Sequence, residues 1–270
     1  MNKKERDFTK KVWKYYRKEG RHALPWRKTK NPYRILVSEI MLQQTQVERV
    51  IPKYRSFLRR FPTVAALSKA SLRDVLEEWQ GLGYNRRAKM LHEAAKDIIS
   101  QYGGRFPKTY AELLTLKGVG PYTAGAVMAF AYNKPVPIIE TNIRTVFIHH
   151  FYTDDVDVSD REILKYVERL LNRNEPRMWY YALMDYGAHL KRMHGNLNVR
   201  SLHYIKQGAF KNSNRQIRGA ILRALVGSNM TRTRLHKELR FNPERIDVQL
   251  QKLQEEKLIS KTRRMFSLPA

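Results

Sequence analysis

Residues 116 to 125 read Leu-Lys-Gly-Val-Gly-Pro-Tyr-Thr-Ala-Gly, and no other segment narrows the fold as much. Two glycines two residues apart allow a tight turn that brings backbone N–H groups up to an anion, and Pro121 suits the first position of a following helix. Before the turn, Thr109-Tyr-Ala-Glu112 has the spacing of a capping box, and after it the chain is mostly apolar as far as Tyr132. The expected unit is a helix, a hairpin and a second helix, whose N–H groups and dipole favour a phosphate. A Gly-x-Gly turn alone is weak, since plain helix packing often uses one. The apolar helices on both sides and the Pro-Tyr-Thr-Ala-Gly that follows make it specific.

The rest of the pattern is helical nearly throughout. Apolar positions recur at helical spacing from Tyr33 to Phe61 (Ile35, Leu36, Ile40, Val47, Val50, Ile51, Tyr54, Leu58), and Pro52 predicts a boundary or kink that divides two helices. Ser71-Leu-Arg-Asp74 opens a short helix closed by Gly81 and Gly83, a helix from about Asn85 runs into Gly103-Gly104, and Ser159 to Glu162 is a further capping box. Towards the end, an amphipathic helix over 215–227 and two further helices over 231–239 and 244–258 precede a stretch, 259–268, that can form a short β-hairpin. Three helices and a wing predict a winged helix, reached through a linker at Gly208 to Asn214.

The charge points to a polyanion. The 270 residues carry 52 Lys+Arg against 25 Asp+Glu, a formal net charge of +27. No acid falls between Asp185 and Glu238, while Lys191, Arg192, Arg200, Arg215, Arg218 and Arg223 are among the cations there. A solvated basic face, or an RNA-binding or ribosome-associated protein, is the competing reading of charge alone. Zero Cys excludes disulfides, a thiolate-held iron-sulfur cluster and a Cys nucleophile. No apolar run reaches the ~20 residues of a membrane span, and the start lacks a secretory signal, so a cytoplasmic or nucleoid location without membrane contact is expected.

One carboxylate stands out. Glu39 lies in Ser38-Glu-Ile-Met-Leu-Gln-Gln-Thr-Gln46, a helical run otherwise apolar or amide-bearing. An acid there is costly unless it is paired or kept protonated, so it is the first candidate for chemistry. The alternative is a structural Glu bonded to a helix end.

Leu24-Pro-Trp-Arg27, Ser38 to Gln46, Gly81-Leu-Gly-Tyr84, Leu116 to Thr123 and Glu140-Thr-Asn-Ile-Arg144 follow in an order and spacing that resembles the MutY-type adenine DNA glycosylases, members of the helix-hairpin-helix superfamily that also holds endonuclease III. The resemblance covers roughly residues 20 to 190. It implies an all-α, two-lobed glycosylase fold with the active site in the cleft between the lobes. The expected domains are 1–207, with a six-helix lobe of about 30–135 inserted in a second helical lobe, and 208–270, the linker and winged helix (α+β).

The resemblance also implies roles. Glu39 matches the general acid that protonates adenine at N7, where a carboxylic acid in a dry pocket makes the base a better leaving group. Glu140 stands where the family has Asp, a carboxylate that stabilises or traps the oxocarbenium-like sugar; its alternative role is a helix cap. Tyr122 replaces the Schiff-base lysine of lyase-active relatives and cannot form an imine, so strand cleavage by that route is not expected; a core aromatic is the alternative. Trp26, Arg27, Leu42 and Tyr181 are expected at the base pocket, Tyr181 taking the place of a polar residue against adenine's amine. Gln43 and Gln44 are expected near the lesion, and Gln46, Leu82 and Tyr84 towards the partner base or the gap left by extrusion. Lys117, Gly118, Val119, Gly120 and Asn142 complete the expected DNA contacts.

Two departures are plain. Relatives usually continue past Gly187 into four cysteines that hold an iron-sulfur cluster, whereas this chain has none, so no cofactor is expected and basic residues are expected to meet phosphates there. His149, His150, His189 and His194 are not expected to replace the cluster with a metal site. The domain that reads 8-oxoguanine in many relatives is not expected in this chain. The expected activity is removal of adenine opposite 8-oxoguanine or guanine by a monofunctional glycosylase, working as a monomer on double-stranded DNA that holds a mismatched or damaged base. The alternatives are a mismatch glycosylase for thymine, uracil or a deaminated purine, and a non-catalytic DNA-binding regulator.

Overall fold

The computed structural model describes residues 1–153 and 155–269, so Asp154 and the terminal Ala270 of the expected domain ranges lie outside it. In chain order the helices are α1 (Lys3–Glu19), α2 (Pro32–Leu42), α3 (Val47–Arg60), α4 (Val64–Lys69), α5 (Leu72–Glu78), α6 (Arg86–Tyr102), α7 (Tyr110–Thr115), α8 (Pro121–Phe130), α9 (Thr141–Phe151), α10 (Asp160–Leu170) and α11 (Pro176–His194). A C-terminal group follows: α12 (Asn214–Gly227), β1 (Met230–Thr231), α13 (Arg232–Glu238), α14 (Pro243–Glu255), β2 (Ser260–Thr262) and β3 (Met265–Ser267). The described residues are thus mostly α-helical, with one small sheet in the C-terminal group.

Local signals start and stop these helices. Ser71 with Asp74 and Ser159 with Glu162 form complete capping boxes, Thr109 and Glu112 exchange the same pair of bonds, and Gly103 ends α6 in the left-handed conformation at φ 58°. The predicted break at Pro52 is corrected: α3 runs through the proline, and the two helices divide at residues 43–46. A proline early in a helix removes one backbone bond, whereas Gln44 at φ 53° turns the chain out of α2 altogether.

The contacts divide the chain into two compact units. The first comprises residues 1–36, 108–115 and 119–206. Its centre is α9 against α11, with α1 and α8 also packed on α11. Gly187 makes that packing close, since a Cβ there would run into the Asn142 carbonyl. Phe147, Ile148, Trp179, Tyr180 and Leu183 fill the interior.

The second unit comprises residues 37–107, 116–118 and 207–270. Here α4 and α5 pack on α6 around Leu67, Leu76, Trp79 and Leu91, and α12 packs on both α5 and α14. The sheet order is β1-β3-β2, all antiparallel, with Met230 opposite Phe266 and Lys261 also opposite Phe266. The three helices and the wing hairpin are those expected from sequence, and β1 is an additional strand too short to show a period. These C-terminal elements cluster with α3–α6 rather than apart from them: Arg73 of α5 donates to the Leu225 and Val226 carbonyls at the end of α12 and to Asn229.

Candidate active site and nucleic-acid interface

Helix α2 is buried from Ile35 to Met41 without a break, and Glu39, at 6% exposure, is the only ionisable side chain in that run. A helical stretch buried on every face needs no polar residue, so an acid kept there is held for something other than solubility. Leu42 and Gln43 follow, half-buried, and then Gln44 and Gln46, both exposed.

The loop after α2 is held by a residue that sequence reasoning missed. Arg87, at the start of α6, donates to the carbonyls of Ile40 (2.8 Å), Met41 (3.0 Å) and Gln43, to the Thr45 hydroxyl (3.0 Å), and to the carbonyls of Leu82 (3.2 Å) and Gly83 (3.1 Å). One planar fork thereby ties the last turn of α2 to the turn that carries Leu82 and Tyr84. Burial pushes its pKa down to about 10. Tyr84, like Gln44, is a non-glycine residue in the left-handed region, at φ 47°. Such conformations cost on the order of 1 kcal/mol each and persist where surrounding bonds enforce them. Leu82 is 3% exposed, so its side chain is turned into the protein.

In the glycine turn, Gly118 has φ 72° and lies so close to the Met90 side chain that a Cβ would collide with it. The Lys117 N–H donates to Asp97, Val119 is buried, and Lys117 and Gly120 are exposed. Gly120 is the N-cap of α8 and Pro121 stands at N1, so a glycine turn leads straight into a helix N-terminus, whose dipole favours negative charge. Tyr122 follows, half-buried, in the first turn of α8.

Glu140 is delivered by an extended segment that Tyr180 fastens. The Tyr180 hydroxyl donates to the Val136 carbonyl (2.8 Å) and accepts from the Ile138 N–H (3.2 Å). The Glu140 carboxylate then caps α9: one oxygen accepts from the N–H groups of Asn142 (2.9 Å) and Ile143 (3.0 Å), the other from the Thr141 hydroxyl (3.0 Å) and the Asn142 amide (3.1 Å). The carboxylate thus folds back onto the start of its own helix.

Arg27, expected to stack on a base, forms a buried two-bond pair with Asp185 (2.6 and 2.8 Å) and lies 4.5 Å over the Tyr181 ring, which is itself stacked on Phe130. Arg21 adds a third arm through its N–H and Nε. Burial acts to raise the Asp185 pKa, and the bonds and charges of the two arginines outweigh it and hold the carboxyl below its usual range. Trp26 is buried beside Arg27 in the same helical turn, Pro25–Lys28. Nothing in the local sequence marks Asp185 as the partner.

After α11 the backbone is fastened by polar side chains. Asn198, buried, donates to Thr145 (2.8 Å) and to the Thr141 carbonyl (3.2 Å), Arg200 donates to the Asp155 and Tyr152 carbonyls, and Val158 bridges to Ser201. With no thiolate available, this donor set does not fit an iron-sulfur cluster. Among the described residues no group of three or more His, Cys, Asp or Glu is arranged to hold a metal ion: His149 stacks on His194 at 4.8 Å, and His150 Nε2 lies 3.0 Å from the Tyr186 hydroxyl.

Helices flanking a glycine hairpin, with an acid enclosed in α2, define a class, and residues 37–173 match the HhH-GPD superfamily of base excision DNA repair proteins. The chain belongs to that family. Within it, the chain is similar to adenine DNA glycosylases. That of Buchnera aphidicola subsp. Baizongia pistaciae is 41% identical over 185 residues, covering 67% of this chain and 52% of the relative. That of Mycolicibacterium smegmatis is 42% identical over 171 residues, covering 63% of this chain and 58% of the relative. The chain spans about half the length of the curated relatives it matches. Among solved structures, a thermostable thymine-DNA glycosylase aligns with a TM-score of 0.62 at 28% identity, over 69% of this chain and 87% of that one. A non-covalent Endonuclease III–DNA complex aligns at 0.55 with 20% identity, over 72% and 88%, a likeness of fold.

Proposed function

We propose that this protein is a monofunctional DNA glycosylase of base excision repair that flips adenine out of a mismatch with 8-oxoguanine or guanine and hydrolyses its N-glycosidic bond. The observation that carries the reading is Glu39, the one acid in the buried stretch Ile35–Met41 of α2, leading directly into amides and a left-handed Gln44. The similarity to adenine DNA glycosylases supports it.

In this reading Glu39 gives a proton to adenine N7, the glycosidic bond breaks, and the electron pair leaves with the base. The cationic sugar is stabilised by the Glu140 carboxylate, whose charge the α9 N-terminus holds in place. Glu39, now a carboxylate, takes a proton from the attacking water. Tyr122 offers a phenol where an imine would need an amine, so the strand is left intact. The glycine turn at the N-terminus of α8 and the basic surface take DNA phosphates, with 1–207 as the glycosylase domain and 208–270 as a winged-helix module. The protein works as a monomer, without an iron-sulfur cluster, in the cytoplasm or nucleoid. No described helix is long and apolar enough to cross a membrane.

A second reading, thymine excision from a mismatch, is favoured by the likeness to the thymine-DNA glycosylase. One experiment separates the two. Duplexes carrying adenine opposite 8-oxoguanine or guanine, and thymine or uracil opposite guanine, are incubated with enzyme and scored for alkali-labile sites. Adenine duplexes should be cut after alkali and not before, and Glu39→Gln should slow base release at least ~100-fold while duplex binding survives. Near wild-type excision by the Gln variant would remove Glu39 from the mechanism, and silence on every duplex would leave a non-catalytic DNA-binding protein.

A further inference from the structure

Within the second unit, a cleft of about 1280 Å³ is lined both by the loops that carry Gln44, Gln46 and Tyr84 and by residues 207–223 of the C-terminal segment. Three observations set it apart from an ordinary groove. The two left-handed residues, Gln44 and Tyr84, are joined across it by one amide: Gln207 Nε2 donates to Gln44 Oε1 (2.9 Å) and to the Tyr84 hydroxyl. Arg215 also donates to the Tyr84 hydroxyl (2.9 Å), and its guanidinium lies 5.8 Å from the Tyr84 ring centre and 6.0 Å from that of Phe210. Phe210 is 61% exposed, a large ring left bare at the mouth of a polar cleft.

The lining chemistry suits one occupant. Five glutamines reach it, and amides offer paired donors and acceptors to a base edge. Its cations include Arg49, Lys53, Arg86, Arg215 and Arg223, whereas its single lining acid, Glu256, is paired with Arg218 at 2.6 Å. The volume exceeds the roughly 300–1,000 Å³ of a small-molecule pocket. Amides, a phenol, bare aromatic surface and surplus positive charge together match a stretch of nucleic-acid strand with a base presented edge-on.

We propose that Gln207, Phe210 and Arg215, which lie beyond the family-matched residues 37–173, complete a site for the base opposite the excised one. The Gln207 amide occupies the position of that base's edge and exchanges its bonds to Gln44 and Tyr84 for the base, Phe210 stacks on it, and Arg215 holds its acceptors or the adjoining phosphate. The C-terminal segment is thus a partner-base reader. This inference rests on the glycosylase reading, because it needs a duplex in which one base is removed and its partner is left.

The test uses the full chain and duplexes that carry a tetrahydrofuran abasic analogue opposite 8-oxoguanine, guanine, cytosine or thymine, so no excision is required. Wild-type protein should bind one partner more tightly than the others. Gln207→Ala and Phe210→Ala, both at exposed positions, should each lower the ratio of best to worst partner about 5- to 100-fold, the scale of one lost base contact, with affinity for the worst partner changed less than about 3-fold. Unchanged ratios, or a uniform fall for all four duplexes, would overturn the proposal and reduce the segment to structure or phosphate contact. So would a wild-type protein indifferent to the partner. Partner preference in these duplexes with no adenine excision elsewhere would sink the adenine activity and leave this site standing.

Discussion

The guanidinium of Arg87 lies 2.8 Å from the carbonyl oxygen of Ile40, one residue after the buried Glu39. The same group bonds the turn before Tyr84, so one side chain sets the relation between the amide loop and the tyrosine.

Replacing Arg87 by Met keeps much of the packing and removes every donor. The stranded carbonyls should cost about 2–4 kcal/mol in urea unfolding, with Arg87→Lys intermediate because an ammonium cannot fork between two loops. Excision should fall more than binding to undamaged duplex, since Gln44 and Tyr84 lose their support.

For Glu140, cap and charge can be separated. Glu140→Asn keeps a good N-cap without charge, so stability should hold within about 0.5 kcal/mol while excision drops ~100-fold or more. Glu140→Ala should lose the activity and about 1 kcal/mol as well, and Glu140→Asp should retain most of both. Full activity in the Asn variant would reduce Glu140 to a cap.

Asp185→Asn leaves Arg27 buried beside a neutral amide. Chemical denaturation should show a loss of about 3–5 kcal/mol, the scale of a broken buried pair, well above that of the exposed pair Arg234–Glu238, whose removal should cost below about 1 kcal/mol.

His150 gives the fold an acid limit. Burial, with help from His149, Lys11 and Lys4, lowers its pKa from 6.5 to about 3, so between those values the unfolded chain binds the proton and the folded one does not. The contribution is therefore intact above pH 6.5 and is lost as pH falls towards 3, by at most about 1.4 kcal/mol per pH unit. Thermal melts at pH 7 and pH 5 should differ clearly for the parent and much less for His150→Gln.

Purified protein should be colourless, with excision unchanged by exhaustive chelation. Stoichiometric iron or zinc by elemental analysis, with activity lost on its removal, would contradict the account of residues 188–206 as a metal-free segment held by Asn198 and Arg200.

Helix starts were legible in the chain because their causes are local: Ser71 and Asp74, or Ser159 and Glu162, satisfy each other's N–H groups within a single turn. Glu39 was legible for the same kind of reason, as an acid inside one apolar period. The expectation failed at Pro52, where a strong local signal for a break was outweighed by the packing of α3 through Val50, Tyr54 and Phe57, and the break moved to Gln44. Partnerships were the part that could not be read. Arg87 finds Ile40 across 47 residues, Arg27 finds Asp185 across 158, and Gln207 finds Gln44 across 163. A cap or a period is set by neighbours a few bonds away, but a buried arginine or amide takes whichever acceptors the crossing of distant segments brings to it, and only the folded backbone determines that crossing.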